Sequence, residues 1–194
     1  MADKVTFDAD HFNTLYRQDI DPWHFRTSEY ERRKYAETLA ALPRDRYEHI
    51  IELGSSIGEL SALLGARAER LTGVDTSDVA ITAARKRCAG LPHVAFEQAQ
   101  LPQGEWATQA DADALVISEV LYYLSSEELA VMTQRMSRLA TTADIVLVHW
   151  TGDTNYPMTG DDASEQFIRA FPQRRWLTTR RTGYRLDVTC PVAA

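Results

Sequence analysis

Glu52-Leu53-Gly54-Ser55-Ser56-Ile57-Gly58, with a lone carboxylate further on at Asp75, has the residue types and spacing of a cofactor cradle. The apolar pair Ile50-Ile51 leads into a small-residue turn, and a second apolar run ends in Asp75, 21 residues after Gly54. Such a turn lets backbone approach a ligand, and an acid closing the next strand can accept from both hydroxyls of a ribose. The turn departs from the dinucleotide fingerprint. Gly54 and Gly58 stand four apart and Ser56 occupies the place where a third glycine is common, so the glycine pair that admits a pyrophosphate is missing. Glu52 adds a carboxylate that would pair with an ammonium and repel a pyrophosphate. A ligand with a ribose and an amino-acid moiety therefore fits better than NAD. Taken alone, the turn also reads as an ordinary strand-to-helix junction.

Further candidates lie where other apolar runs end. Glu119 follows Ala114-Leu115-Val116-Ile117-Ser118, and a carboxylate there needs a partner. Tyr122 and Tyr123 come just after it. His149 closes the run from Asp144 at the same expected rim, although a lone histidine is as readily structural. Glu119, Asp153, Asp161 and Asp162 would suit a cationic, amine-bearing acceptor; residues 153–162 read equally as a solvated loop. Tyr16 and Trp23 either fold over the crevice as a lid or are core aromatics.

These residues need a sheet to position them. Strands are expected at Tyr47–Leu53, Arg70–Asp75, His93–Gln98, Asp113–Ser118 and Asp144–Trp150, with helices between them. Helix starts are read at the capping box Ser28-x-x-Glu31, at Ser77 and at Ser126, the last helix running to about Ala140. Thr151–Asp162 is expected as a long polar loop and Glu165–Ala170 as a helix. Arg175–Thr179 and Tyr184–Thr189 are expected as an antiparallel pair turning at Thr182-Gly183. The βαβα alternation makes one doubly wound α/β domain. In such a sheet the ligand lies beyond the carboxyl ends of the strands, at the point where strand order reverses.

The 194 residues suffice for one sizeable core, and a net charge of −7 does not invite a polyanion, so no nucleic-acid partner is expected. Arg32-Arg33-Lys34, and Arg174-Arg175 with Arg180-Arg181, read as solvated faces or internal ion-pair sets. Cys88 and Cys190 suit a reducing compartment and offer no metal quartet. The first residues lack a basic-then-apolar leader and no run reaches membrane-spanning length, so a cytoplasmic protein with no membrane partner is expected.

Glu52-Leu53-Gly54-x-x-x-Gly58, Asp75 and Ser118-Glu119-Val120-Leu121-Tyr122-Tyr123-Leu124 resemble class I S-adenosylmethionine-dependent methyltransferases. With Asp21-Pro22-Trp23, Tyr30-Glu31-Arg32 and His149-Trp150, the chain from about residue 16 to 189 is similar to the nodulation protein S branch, whose members N-methylate a glucosamine amine on a chitooligosaccharide. The resemblance implies a Rossmann-like, mostly parallel seven-stranded sheet ending in an antiparallel hairpin, helices on both faces, and a short helical lid, residues 1–43, ahead of a methyltransferase domain spanning 44–194. It implies S-adenosylmethionine as cofactor and no metal. Gly54, Ser55, Ser56 and Gly58 would let the methionine part approach backbone. Glu52 would hold the amino group or a water near it, Asp75 the ribose, and Thr76 or Ser77 would border ribose and adenine. Gln100 stands where the family usually has an acid for the adenine amine, and its amide oxygen can accept that bond uncharged. Leu101, Ser118, Glu119 and Trp23 complete the implied cofactor set. Glu119, His149 and Tyr122 are the implied catalytic residues, with Glu119 or His149 able to take the proton of an amine. The acceptor is expected to be an amino sugar or oligosaccharide amine. O-methylation of a small natural product, or a degenerate cofactor-binding regulator, is the alternative; a nicotinamide oxidoreductase is disfavoured by the missing glycine pair.

Overall fold

Continuous apolar runs at the centre of the chain bury both sides of their strands, and the fold follows from covering both. The structure is a computed structural model describing residues 7–109 and 111–189; Cys190 and residues 1–6 lie outside the described residues. Seven strands form one sheet in the order β3-β2-β1-β4-β5-β7-β6. They are β1 (Tyr47–Leu53), β2 (Ala68–Asp75), β3 (Val94–Gln98), β4 (Ala114–Ser118), β5 (Asp144–Trp150), β6 (Trp176–Arg181) and β7 (Tyr184–Thr189). The first five are parallel; β7 runs antiparallel between β5 and β6. The helices are α1 (Ala9–Gln18), α2 (Glu29–Ala41), α3 (Glu59–Gly65), α4 (Asp78–Arg87), α5 (Ser126–Arg135), α6 (Leu139–Thr142) and α7 (Gly160–Arg169).

The two-residue period of the strands sorts the core. Ile50, Leu71, Ala114, Val116 and Val146 face one way, against Tyr35 and Leu42 near α2 and Leu60 and Leu64 of α3. Ile51, Leu115, Ile117, Ile145 and Leu147 face the other, against Leu129 and Met132 of α5 and Phe167 of α7. Because β1 lies between β2 and β4, the chain reverses direction across the sheet there, and the carboxyl ends of these strands open onto a crevice. α1 closes over that crevice through Phe12 and Tyr16, which pack on Ile57 and Ala80.

Several boundaries differ from the sequence reading. At α2, Ser28 accepts from the Glu31 backbone N–H, but the Glu31 carboxylate faces Lys34, so only half the capping box forms. The complete box belongs to Ser125 and Glu128, one residue earlier than expected, and the following helix stops at Arg135 before the short α6. Thr159 caps α7 by accepting from Asp162 N–H, which moves 160–162 out of the expected loop. Among the described residues no helix is long and apolar enough to cross a membrane.

Candidate active site

The turn after β1 is held from two sides. The Gly54 and Ser55 N–H groups donate to Val74 O at 2.9 and 3.0 Å, tying the turn to β2. Gly54 has φ +88°, and a Cβ there would collide with the Ser118 carbonyl oxygen at the end of β4. This glycine therefore serves the close approach of two strands as well as the cavity it lines. Ser56 occupies the left-handed region at φ +47°, and its N–H donates to Asp75 Oδ2 at 2.9 Å. A non-glycine residue there costs on the order of 1 kcal/mol. Its hydroxyl lies 2.6 Å from Tyr16 OH, so the serine anchors α1 where a glycine could not. Asp75 Oδ1 accepts from Ser77 N–H at 2.9 Å, which aims the carboxylate across the crevice mouth.

Glu52 lies beneath this turn, fully buried. Ser61 donates to its Oε2 at 2.5 Å, while Oε1 has no hydrogen-bond partner. Burial makes it a weaker acid, raising its pKa to about 8. A buried carboxyl oxygen left unpaired is a place for a donor from a ligand.

On the adenine side of the expected site, Thr76 donates to Gln100 Oε1 at 2.5 Å and Gln100 Nε2 donates to Phe7 O at 3.3 Å. Thr76, Gln100 and Leu101 all line the cavity, as do Ser55, Ser118 and Trp23. Two residues of the expected cofactor set do not. Ser77 caps α4 and donates to Asn13 Oδ1 at 2.6 Å, and is buried between helix and lid. Gly58, at φ +84°, starts α3 with Ala84 of α4 against its Cα. Both shape the site without facing it.

Opposite the cradle, Lys34 Nζ lies 2.6 Å from Glu119 Oε1 and 3.0 and 2.9 Å from the two oxygens of Glu31, with its side chain 4% exposed. Glu119, itself at φ +57°, also accepts from Tyr122 OH at 2.8 Å and Trp150 N–H at 2.7 Å. Burial opposes its charge, but Lys34 and these donors hold its carboxyl below the usual range. Glu119 is thus an anion whose oxygens already hold Lys34, Tyr122 and the Trp150 amide. Tyr122 lines the cavity with its hydroxyl committed to Glu119, and burial pushes its own ionisation far up. It orients the carboxylate.

His149 stands apart from Glu119 and Tyr122. It is fully buried and does not line the cavity; Nε2 accepts from Leu121 N–H and Nδ1 faces Ser164 Oγ, each at 3.3 Å. Burial lowers its pKa to about 4 from the ordinary 6.5. A folded-state value below the unfolded one gives stability that is present above pH 6.5 and lost as pH falls through 4. His149→Gln is expected to weaken the acid dependence of the melting temperature across that window and to leave the pH profile of activity unchanged; thermal scans and initial rates would show it. Asp161 is turned away as well, pairing with Arg180 and Arg185, so of the expected acidic rim Glu119 and Asp153 face the cavity.

The cavity has a volume of about 470 Å³. Phe7, Phe12, Tyr16, Trp23 and Tyr30 from the N-terminal segment line part of its wall. Phe7 packs on Tyr123 and Tyr156 at 5.3 and 5.1 Å between ring centroids, so the segment is joined to the far rim. Trp23 lines the cavity and packs against Tyr16 and Phe25, combining the two roles considered for it. Sequence reasoning missed Lys34 and Glu31. The available signal was their spacing of three on one helix, which puts them on a common face.

The model of the family Nodulation protein S (NodS) matches residues 9–148. Nodulation protein S of Bradyrhizobium diazoefficiens is 33% identical over 105 residues, covering 54% of this chain and 49% of the relative. Trans-aconitate 2-methyltransferase of Paracidovorax citrulli is 37% identical over 94 residues, 47% of this chain and 34% of the relative. The chain thus spans about half, or less, of the length of these relatives. The crystal structure of N-methyltransferase NodS from Bradyrhizobium japonicum WM9 in complex with S-adenosyl-l-homocysteine superposes with a TM-score of 0.69 at 18% identity, covering 91% of this chain and 96% of that one. The strand order, the crevice at the reversal point and the superposition give the chain the fold of the class I S-adenosylmethionine-dependent methyltransferases. Within that class, the chain belongs to the nodulation protein S family. Its residues fit the cofactor of the class, since the unpaired Glu52 Oε1 and the Asp75 carboxylate offer acceptors on two sides of the turn after β1.

Proposed function

We propose that this chain transfers a methyl group from S-adenosylmethionine to the amine of a small polar acceptor, an amino sugar or the terminal amine of an oligosaccharide. Glu52 would receive the cofactor's amino group, Asp75 its ribose hydroxyls, and Gln100 with Leu101 its adenine. Ser56 and Gln100 depart from the usual motif, yet each holds another part of the site in place, which counts against a degenerate binding module. Residues 1–43 would act as the lid. The activated donor supplies the chemistry, so the protein's share is to position the acceptor, exclude water and manage one proton.

The observation that carries the amine reading is the charge of the lining. Glu31, Glu59, Asp75, Glu119 and Asp153 line the cavity, besides Glu52, whose raised pKa keeps it out of this count; among the described lining residues the one cation is Lys34, already placed between two of them. Such a wall attracts an ammonium and repels a carboxylate. Trp150 supports a sugar acceptor: it lines the cavity, is 40% exposed, and lies against Gly152 and Gly183, where a Cβ would strike the indole. The similarity to a trans-aconitate methyltransferase favours a second reading, methylation of a carboxylate. Among the described residues the lining offers a polycarboxylate no free cation.

The test is methyl transfer from labelled cofactor to glucosamine, to chitotetraose carrying a free terminal amine, to its fully N-acetylated form, to a phenol and to trans-aconitate. The amine reading expects label on the free amines. Label on trans-aconitate or the phenol alone would replace it.

A further inference from the structure

Managing an acceptor's proton requires a group that can receive it, and the cavity lining narrows the choice. Glu119 is occupied by Lys34, Tyr122 and the Trp150 amide. Asp75 is turned toward the Ser56 and Ser77 amides on the cradle side, and Glu59 is paired with Arg26 and Arg87. Glu52 lies below the turn with Ser61. His149 is outside the cavity, and Asp153 is exposed at its rim. Glu31 differs from all of these. Its side chain is 9% exposed, it lines the cavity from α2, and the Lys34 ammonium donates to Oε1. Oε2 lies 2.9 Å from Nζ without receiving a hydrogen bond of its own.

We propose that Glu31 is the group that binds the acceptor ammonium and takes its proton, an assignment that rests on the amine reading above. The ammonium donates an N–H to Glu31 Oε2; the proton passes to the carboxylate, leaving a neutral amine and a carboxylic acid. The freed lone pair forms the N–C bond to the methyl group, and the electron pair of the breaking C–S bond stays on sulfur. The methylated product carries the positive charge, and Glu31 later returns its proton to water.

The surroundings of Glu31 suit a residue that alternates between states. Lys34 on its own helix and Glu119 beyond β4 face it, Asp21 in the preceding turn adds a negative field, and the hydroxyls of Tyr30 and Tyr35 lie near. Burial raises its proton affinity, Lys34 lowers it, and Glu119 and Asp21 raise it again, for a net upward shift. Glu119, held ionised by the same lysine, keeps Lys34 charged when Glu31 is neutralised. One lysine between two carboxylates thus separates a permanent anion from a proton carrier.

Glu31→Gln and the wild-type chain would be compared with chitotetraose bearing a terminal free amine, between pH 6 and 9. Loss of the carboxylate is expected to lower kcat/KM at pH 6 on the order of 100-fold. The variant's rate should then climb about tenfold per pH unit until the acceptor's own amine is neutral, while the wild type stays nearly level. A residue that only supports Lys34 would lower the rate by one factor at every pH. In the presence of S-adenosylhomocysteine, calorimetry should show the wild type preferring the free amine over its N-acetyl form and Glu31→Gln losing that preference. S-adenosylhomocysteine affinity should not change. Parallel pH profiles, or an unchanged preference, would overturn the role of Glu31 and leave the amine reading standing. A wild type that methylates no amine would overturn both.

Discussion

Lys34→Met is expected to lower the free energy of unfolding by about 3–5 kcal/mol, the cost of leaving buried charge unpaired. The variant keeps most of the apolar stem, so the loss comes from the ammonium. Glu31 and Glu119 would then face each other beneath α2 without a cation. Both would hold protons more tightly, which sets the sign of the pH dependence. In the wild type the depressed Glu119 pKa adds stability above its ordinary 4.5, lost as pH falls through the folded value. In the variant the folded-state values would lie above the unfolded ones, so stability would fall as pH rises. The gap between the two chains should therefore be wider at pH 8 than at pH 5, in denaturant titrations at each pH. Neutralising all three positions, as Glu31→Gln, Lys34→Met and Glu119→Gln together, should recover most of the loss. Recovery would show that the lysine's effect is electrostatic and not a matter of packing.

Asp75→Ala is expected to weaken S-adenosylhomocysteine binding on the order of 100- to 1000-fold, about 3–4 kcal/mol. Two losses combine. The ribose would lose its charged acceptor, and the Ser56 and Ser77 amides would lose the oxygens that now hold them at 2.9 Å. Ser56 keeps its left-handed backbone partly through that bond, so the turn would loosen under the ligand as well. Asp75→Asn, with one amide oxygen left, should fall between. Titration calorimetry checks the order; an affinity for Asp75→Ala within threefold of wild type would mean that the carboxylate does not hold the ribose.

The centre of the sheet was legible because β4 and β5 are buried on both faces and read as nearly unbroken apolar runs. β1, β5 and β7 begin and end where the pattern does, at Tyr47–Leu53, Asp144–Trp150 and Tyr184–Thr189. Helix starts were harder to place. Ser125 and Ser126 are adjacent candidate caps, and only the reach of Glu128 back to the Ser125 amide decides between them. Thr159-Gly160-Asp161-Asp162 reads as a polar loop, although acids in the first turn are what a helix N-terminus favours.

The cradle was visible because Glu52 to Asp75 is one local strand-turn-helix-strand unit. The opposite wall was not. Lys34 meets Glu119 across 85 positions, so a residue in a basic run becomes the centre of a buried cluster only once α2 is laid over the sheet. His149 and Ser77 lie off the cavity for a related reason. Each ends or follows a strand at the right rim, but the strand's pleat and the capping of α4 turn them into the core.

Calorimetry with S-adenosylhomocysteine tests whether the turn after β1 and the Asp75 carboxylate hold S-adenosylmethionine, as claimed. With a pKa of about 8, Glu52 is mostly protonated at pH 7 before ligand binds. It must ionise to pair with the ligand's amino group, so binding should release close to one proton, seen as a dependence of the observed heat on buffer ionisation enthalpy. Glu52→Gln should abolish that release and weaken binding about tenfold or more. Absence of S-adenosylhomocysteine binding, or binding of NAD in its place, would contradict the claim.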